Sequence, residues 1–472
     1  QLEDDEDEEE EGEAKAAAAA GEAEAGHEEE DDVIGGRFNY DVQSSQVDRK
    51  SAALQATGAF AEHLSAAMAP HLSPMLVLCK AMCSHPVPEV RRSAVTSLMR
   101  MGLAMIRLTG VAPARGVSSA AALPPTLAPA LHGVVKVMAY RMLADADDET
   151  VARICDTLGE FVTAAGLPAL GEFAPVVLEG VVGLFKGVGV AQQRADDGDE
   201  EDEDDHDNVL IDAVADFVGH MARAGGPEFE PHFRPIAQAA TRFLRPTRDP
   251  KDRAMAAGLF AEVLDAVESA AVPYAGTLLA PMMAQLRDPD QTVRRNTCYC
   301  VGVLAYRAPA VVAPHARELL TALHPLLDRR EGEDWGVVDN ASAAVARCVQ
   351  AFGDALPLEQ IIPALLARTP TRSDPMENPA LYECLLPRMA AAHPAVVAHA
   401  AEAAAMAVRT VAAESTATDD MKLQTMRVFG SLLHSHAEPF RAAVSSLPHE
   451  AQSLLQQALQ AAASSPAASP VK

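Results

Sequence analysis

The residues in this sequence whose types suggest chemistry are carboxylates, and many of them stand in two dense runs. Gln1–Asp32 holds seventeen acidic residues and one lysine, and Asp196–Asp207 holds ten acidic residues and no lysine or arginine. Such runs attract basic partners and repel nucleic acid and anionic membranes, so we predict neither as a direct partner. The second run consists of Asp196, Asp197, Asp199, Glu200, Glu201, Asp202, Glu203, Asp204, Asp205 and Asp207.

The charge is unevenly spread along the chain. The net charge of the 472 residues is −29, of which the two acidic runs carry −16 and −10, leaving −3 for the rest. The runs are therefore interpreted as solvated segments on a nearly neutral folded body. Two alternatives remain for the run in the middle of the chain: a docking arm for basic ligands, or a solubilising spacer without a partner.

Catalytic motifs are not found elsewhere in the sequence. There is no GxSxG, HExxH or Walker A pattern and no dinucleotide-binding fingerprint, and the fifteen histidines are scattered. The paired carboxylates stand in runs with nothing nearby to raise their pKa values. We predict no enzyme, no cofactor and no metal site.

The cysteines and the apolar stretches indicate in which cellular compartment the protein works and whether it crosses a membrane. Seven cysteines without a CxxC motif favour a reducing environment, and the close pairs Cys79/Cys83 and Cys298/Cys300 lie in apolar helical patterns typical of core residues. We find no run of about 20 uncharged apolar residues and predict no transmembrane helix. The sequence opens on glutamine and acid, so we expect a missing N-terminal portion and no signal peptide.

One short segment combines an aromatic ring with acids. Trp335, the only tryptophan, stands among Glu331, Glu333, Asp334 and Asp339. Such a ring can stack on a lysine or arginine stem while the acids pair with its charge. A half-buried tryptophan that closes a turn is the alternative.

A second pair of acids follows the mid-chain run. Asp212 and Asp216 stand one helical turn apart. They are either acids on a binding face or part of a solvated helix face.

The elements that must position these residues repeat along the chain. An acidic or polar turn is followed by valine and then by small and large apolar residues four, eight and eleven positions on, a spacing that places one stripe along a helix. Small residues in the stripe let a second helix approach closely. The pattern occurs in His85–Met101, Ala146–Val162, Asp288–Leu304 and Glu333–Val349.

A partner helix precedes each of these helices and begins near a proline, which suits a first helical turn. Successive landmark prolines lie 59, 46, 56, 42, 41 and 43 residues apart. A base period near 42 is that of HEAT repeats, so we predict an all-α fold, an α-solenoid superhelix of roughly nine or ten HEAT repeats. The landmarks are Pro70, Pro129, Pro175, Pro231, Pro273, Pro314 and Pro357.

The long intervals define the predicted organisation. They contain a Gly/Ser/Pro-rich insertion at 110–125 and the acidic run, which is predicted as a loop at 195–207 inside one repeat. The array is predicted to span 40–460, between an acidic disordered segment at 1–39 and a disordered tail at 461–472.

The ordered set of these motifs resembles the C-terminal half of the importin-β (karyopherin-β) family. The resemblance is carried by "QVDRKSAALQATGAFAEHLSAAMAPHL", the acidic run leading into "NVLIDAVADFVGHMARAGGPEFEPHFRPI", "DPDQTVRRNTCYCVGVLA" and "PFRAAVSSLPHEAQSLLQQAL". It covers roughly Tyr40–Leu459.

The resemblance implies a nuclear import receptor that shuttles between cytoplasm and nucleus. Its implied partners are basic cargo such as core histones or ribosomal proteins, Phe-Gly nucleoporins and, in the full-length receptor, the Ran GTPase. The family's main Ran-binding repeats are N-terminal and lie outside this sequence, so Ran-driven release cannot be argued for this chain.

The resemblance also places the second helix of each repeat on the concave, cargo-binding surface. Asn296 and Asn340 occupy the same position in adjacent repeats, and the family has asparagines at both. Packed helices lie about 8–10 Å apart, so these amides either form a ladder for an extended cargo backbone or bond to a neighbouring turn. Two other functions remain open: a static HEAT scaffold, and a histone chaperone without transport activity.

Overall fold

The structure is a computed structural model that describes residues 35–113, 115–116, 123–193 and 200–465. Over these ranges the chain forms α-helices joined by turns and short 3₁₀ segments, and it contains no β-strand. The predicted all-α solenoid is confirmed. The helices group into two compact units, Gln1–Ala224 and Gly225–Lys472.

The first unit contains seven helices among the described residues. Its helices are α1 (Gly35–Met68), α2 (Leu72–Met82), α3 (Pro88–Thr109), α4 (Ala128–Ala144), α5 (Asp148–Ala165), α6 (Ala174–Lys186) and α7 (Glu200–Gly225), which ends one residue past the unit boundary. Its 3₁₀ segments are Ala69–His71, Leu167–Phe173 and Val190–Gln192.

The second unit continues the pattern. Its helices are α8 (Glu230–Ala240), α9 (Pro250–Ala266), α10 (Val272–Gln285), α11 (Gln291–Arg307), α12 (Pro309–Val312), α13 (Ala316–Leu323), α14 (Gly336–Phe352), α15 (Leu358–Arg368), α16 (Asn378–Ala390), α17 (Pro394–Ala398), α18 (Ala400–Ala412), α19 (Asp419–Ser435), α20 (Ala437–Ser445) and α21 (His449–Ser464). Its 3₁₀ segments are Gly226–Phe229, Thr241–Leu244, Glu268–Ala271, Ala313–His315, His324–Leu326, Gly353–Ala355 and Pro375–Glu377.

Acidic turn residues start the second helix of several repeats. The Asp147 carboxylate accepts a hydrogen bond from Thr150 N at 2.9 Å at the start of α5. Asp290 accepts from the backbone N–H of Thr292 and Val293 at the start of α11. These caps satisfy N–H groups that have no partner inside a helix. The polar turns of the sequence pattern are therefore helix starts.

The predicted apolar stripe forms the core of the stack. Second helices pack on each other in succession, α3 on α1 and α5 on α3 in the first unit, and α11 on α9 and α14 on α11 in the second. At Gly302 in α11 an added Cβ would lie 2.8 Å from Ala344 Cα in α14, so only glycine allows this approach. The stripe positions are all buried: Ala94, Leu98, Met101, Cys155, Gly159, Val162, Thr297, Val301, Leu304, Ala341, Val345 and Cys348.

Buried ion pairs join successive repeats, and the sequence analysis missed them. Arg91 in α3 makes a two-pronged contact with Asp145, at 2.9 and 2.7 Å, in the turn before α5. Arg294 at the same position in α11 pairs with Glu333, which lies in the turn before α14. The arginines that directly follow the valine of the sequence pattern, Arg91 after Val90 and Arg294 after Val293, therefore link one repeat to the next.

All seven cysteines are buried and unpaired by disulfides. Burial raises the pKa of the Cys79 thiol to about 11 and that of Cys300 to about 12. Burial likewise raises the pKa of Cys155 and of Cys298. A thiol held protonated in this way is a weak nucleophile, which fits the interpretation of the cysteines as core residues.

The helix boundaries differ from the predicted organisation in three places. Helix α7 begins at Glu200, so residues 200–207 of the predicted acidic loop are helical, whereas 194–199 lie outside the described residues. Acidic residues near a helix N-terminus are favoured by the helix dipole, which is the physical reason for the earlier start. Helix α1 begins at Gly35, ahead of the predicted boundary at 40, and α21 extends to Ser464, past the boundary at 460.

Parts of the other predicted irregular segments cannot be compared. Residues 1–34, 114, 117–122 and 466–472 lie outside the described residues. Within the predicted insertion at 110–125, the described residues contain no helix, and Gly110 ends α3 with a left-handed φ of 65°.

One stretch of 26 residues, Leu167–Gln192, is long and apolar enough to cross a membrane by length and composition alone. The stretch does not form an uncharged apolar run in the sequence, because Glu172, Glu179 and Lys186 interrupt it. The stretch is not one continuous helix, since it breaks at Gly171 and Gly187. The 13 residues of α6 span about 20 Å, short of the roughly 30 Å of a bilayer core. As a straight helix, α6 is therefore too short to cross a bilayer.

Candidate functional site

The candidate binding residues around Trp335 lie at the start of α14. Trp335 directly precedes the helix and is half-buried. Glu333 pairs with the buried Arg294 and lies 4.0 Å from Arg330, so its carboxylate belongs to the link between repeats. Glu331 is exposed in the turn. The turn thus combines one inward-facing acid with one that faces solvent.

The face of the Trp335 ring already has cationic neighbours. The Arg372 guanidinium carbon lies 3.8 Å from the ring centroid, and that of Arg329 lies 5.5 Å from it. Both distances are within the range of a cation–π interaction. The ring therefore contacts arginines of the same chain, and its stacking on a partner's side chain stays a prediction.

Asp339 and Asn340 hold the segment that carries Arg372. The Asp339 carboxylate accepts hydrogen bonds from the backbone N–H of Arg372, Ser373 and Asp374, at 2.7 to 3.1 Å. Burial raises the pKa of Asp339, while these three N–H groups act in the opposite direction. Asn340 donates to Asp374 Oδ2 at 3.0 Å. Both side chains are buried, so they support the surface from beneath.

Each of the two asparagine amides donates a hydrogen bond within the chain. Asn296 Nδ2 donates to the Ala254 carbonyl of the neighbouring helix α9 at 2.9 Å. Asn340 Nδ2 donates to the Gly336 carbonyl and to Asp374. Asn340 is buried and Asn296 is half-buried, so the ladder for a cargo backbone stays a prediction.

The remaining predicted acids face solvent. Asp334 is exposed, and its Oδ1 accepts a hydrogen bond from Gly336 N at 2.6 Å, which fixes the start of α14. Asp212 and Asp216 are exposed on α7 in the first unit. The structure thus gathers Trp335 and its acids in one turn, whereas Asp212 and Asp216 belong to a different unit.

Sequence reasoning missed Arg372 and Asp374. Arg372 contacts Trp335, and Asp374 accepts from Arg295 and Asn340, each at 3.0 Å. The only signal for this segment in the sequence is a polar Arg-Ser-Asp-Pro turn before the next second helix. Within the described residues no group of three or more His, Cys, Asp or Glu side chains is arranged to hold a metal ion.

Stacked helix pairs, capped by acidic turns and joined by buried ion pairs, define the class of HEAT-repeat proteins. The HEAT repeat family model matches residues 278–308, which cover most of α10 and all of α11. Similarity to known protein sequences covers more of the chain than this one match. The chain is 24% identical over 386 residues to the probable importin subunit beta-4 of Schizosaccharomyces pombe, covering 76% of this chain and 35% of the relative. It is 25% identical over 427 residues to importin-4 of Homo sapiens, covering 89% of this chain and 38% of the relative.

Solved structures show the same fold. The crystal structure of Kap121p matches with a TM-score of 0.62 and 15% identity, covering 88% of this chain and 36% of that one. A crystal structure of importin beta matches with a TM-score of 0.60 and 12% identity, covering 87% of this chain and 50% of that one. The resemblance to the importin-β family, and to importin-4 within it, is confirmed. The chain spans a little over a third of the length of the curated relatives it matches, and these relatives are importins, not enzymes.

Proposed function

We propose that this chain is the cargo-binding part of a nuclear import receptor that carries basic proteins between cytoplasm and nucleus. The observation that carries the proposal is the similarity to importin-4, which extends over 89% of the chain. The fold is consistent with it, since Kap121p has been solved bound to RanGTP and bound to Pho4p. Core histones and ribosomal proteins are the proposed cargo.

The proposed mechanism has a capture step and a holding step. The carboxylates of Asp196–Asp207 steer basic cargo and raise its association rate, an effect that salt screens with a Debye length of about 8 Å at physiological strength. Each exposed ion pair contributes only about 0–1 kcal/mol, so the run supplies capture rather than specificity. Asp212 and Asp216 are exposed on α7 and are proposed to contribute to the same capture step.

The holding step is proposed at the turn before α14. Trp335 offers an aromatic face, and Glu331 and Asp334 offer exposed carboxylates next to it. Asp339 and Asn340 shape this region through their hydrogen bonds to Ser373 and Asp374, and Asn296 is proposed to contact the same cargo segment from α11. Ran and Phe-Gly nucleoporins are the proposed partners of the longer receptor.

The experiment is the association and dissociation kinetics of a basic histone-tail peptide at two salt concentrations. Replacing the carboxylates of Asp196–Asp207 by Ser and Asn should slow association and flatten its salt dependence, whereas Trp335→Ala should speed dissociation. The control is a variant in which the residues of the run are shuffled, because it keeps the charge and should associate like the wild type. An unchanged association rate after neutralisation would show that the run is a spacer.

A second experiment separates the alternative functions. A transport receptor should be retained on immobilised Phe-Gly nucleoporin repeats, whereas a histone chaperone or a static scaffold should not. Retention of the chain together with histone peptide would support transport of that cargo. Binding of histone peptide without retention would favour the chaperone.

A further inference from the structure

We infer that Arg372 is an internal ligand of the Trp335 site, so that a partner's arginine side chain must displace it to bind there. The inference rests on the proposed function in one respect only, that Trp335 contacts a basic partner. The ligand class that we infer for this site is the guanidinium group. The contact with Arg372 would regulate the site, because it competes with that ligand.

The contact geometry resembles that of a bound guanidinium ligand. The Arg372 guanidinium carbon lies 3.8 Å from the Trp335 ring centroid, which is stacking distance. Arg372 is exposed and Trp335 is half-buried, so the contact lies at the surface, where solvent and a partner can reach it. A partner's guanidinium would need the position that Arg372 now holds.

The backbone of Arg372 is fixed independently of its side chain. Its N–H donates to both carboxylate oxygens of Asp339, and the next two residues donate to Asp339 as well. Asp374 is further held by Arg295 and Asn340. The side chain can therefore leave the ring while the segment keeps its conformation.

The guanidinium of Arg372 is held by little besides the ring. Among the described residues it has no carboxylate within 4.0 Å, and the hydrogen bonds of Arg372 are made by its backbone N–H alone. Its charge also helps to lower the pKa of Arg409, after burial, so the two cations are close enough to repel. An exposed cation–π contact of this kind corresponds to about a two- to fivefold change in an equilibrium constant. Arg372 is therefore a ligand that a partner can displace.

The test uses Trp335 as its own probe, because it is the only tryptophan in the chain. We would titrate the full chain and its Arg372→Ala variant with N-acetyl-arginine amide and with an arginine-rich peptide, and follow tryptophan emission. Arg372→Ala keeps every backbone hydrogen bond to Asp339. The substitution should shift the emission of the ligand-free protein to longer wavelength. It should also lower the dissociation constants of both ligands by about two- to fivefold.

Arg317→Ala is the matched control, because it removes an exposed arginine of the same unit that has no ring contact among the described residues. Equal affinity gains in the two variants would mean a general charge effect and would overturn the inference. Unchanged affinity in Arg372→Ala would also overturn it. The citrulline form of the peptide should bind neither protein at this site, and binding of it with the same emission change would contradict the guanidinium assignment.

The arginine amide arm separates this inference from the proposed function. If the chain fails to bind histone peptide and nucleoporin repeats but Arg372→Ala still binds arginine amide more tightly, the transport proposal fails and the site stands. If the peptide binds with no change in Trp335 emission in either protein, transport remains supported and the Trp335 site is wrong.

Discussion

At the scale of single residues, the charged side chains of the repeat pattern are mostly internal connectors. Arg91 is 9% exposed and Asp145 is 2% exposed, so each would be an unpaired buried charge if the other were removed. Arg91 also donates to the carbonyls of His85 and Pro86, which ties the turn before α3 to the turn before α5. The energetic role of such a pair lies in the penalty for removing one member.

Asp145→Ala should therefore lower the free energy of unfolding by about 3–5 kcal/mol, because Arg91 stays buried without its carboxylate. The matched control is Glu149→Ala, which removes one of the two carboxylates that pair with the more exposed Arg92 and should change stability by about 0–1 kcal/mol. Urea denaturation followed by far-ultraviolet circular dichroism measures both. Similar losses in the two variants would show that burial does not set the strength of these pairs.

At the scale of helices, the close approach of second helices depends on small residues in the stripe. An added Cβ at Gly302 would lie 2.8 Å from Ala344 Cα, whereas one at Gly276 in α10 would meet nothing within 4 Å. The two glycines thus separate the steric requirement of a helix contact from the intrinsic helix propensity of the residue.

Gly302→Ala should destabilise the second unit by about 1–3 kcal/mol, because the backbone of α14 must move. Gly276→Ala should stabilise it by about 0.5–1 kcal/mol, since alanine loses less backbone entropy on folding. Thermal or urea unfolding of the two variants makes the comparison. A destabilising Gly276→Ala would mean that α10 has a contact at this position.

The helices could be predicted from the sequence more fully than the contacts of the candidate site. The apolar stripe beginning at Val293 was predictable because its spacing is a local property of one helix. The contact between Trp335 and Arg372 was not, because it joins residues 37 positions apart and depends on how the turn before α16 folds back. The pairing of Asn340 with Asp374 was missed for the same reason. The start of α7 was missed because a charge run indicates solvation and does not exclude a helix.

At the scale of the whole molecule, the chain is two compact units built from repeats that contact their neighbours in sequence. In such arrays stability is approximately a sum of repeat terms and nearest-neighbour terms, and a single two-state transition is not assured. Trp335 lies in the second unit, so its emission reports on that unit, whereas circular dichroism reports on all helices.

Asp145→Ala, in the first unit, should lower the urea midpoint seen by circular dichroism and leave the midpoint seen by Trp335 emission unchanged. Gly302→Ala, in the second unit, should lower the emission midpoint. Measuring both signals on the same samples makes the comparison. Coincident shifts of both probes in both variants would show that the chain unfolds as one cooperative body.

The burial of all seven cysteines has a practical consequence for labelling. Because their thiols are protonated and enclosed, a single cysteine introduced at an exposed position, such as Glu331 or Arg317, would be the fastest-reacting thiol in the folded chain. Maleimide dyes or spin labels can then be attached at chosen repeats without first replacing the native cysteines. Pairs of such labels would act as a molecular ruler for how the repeats move when a partner binds.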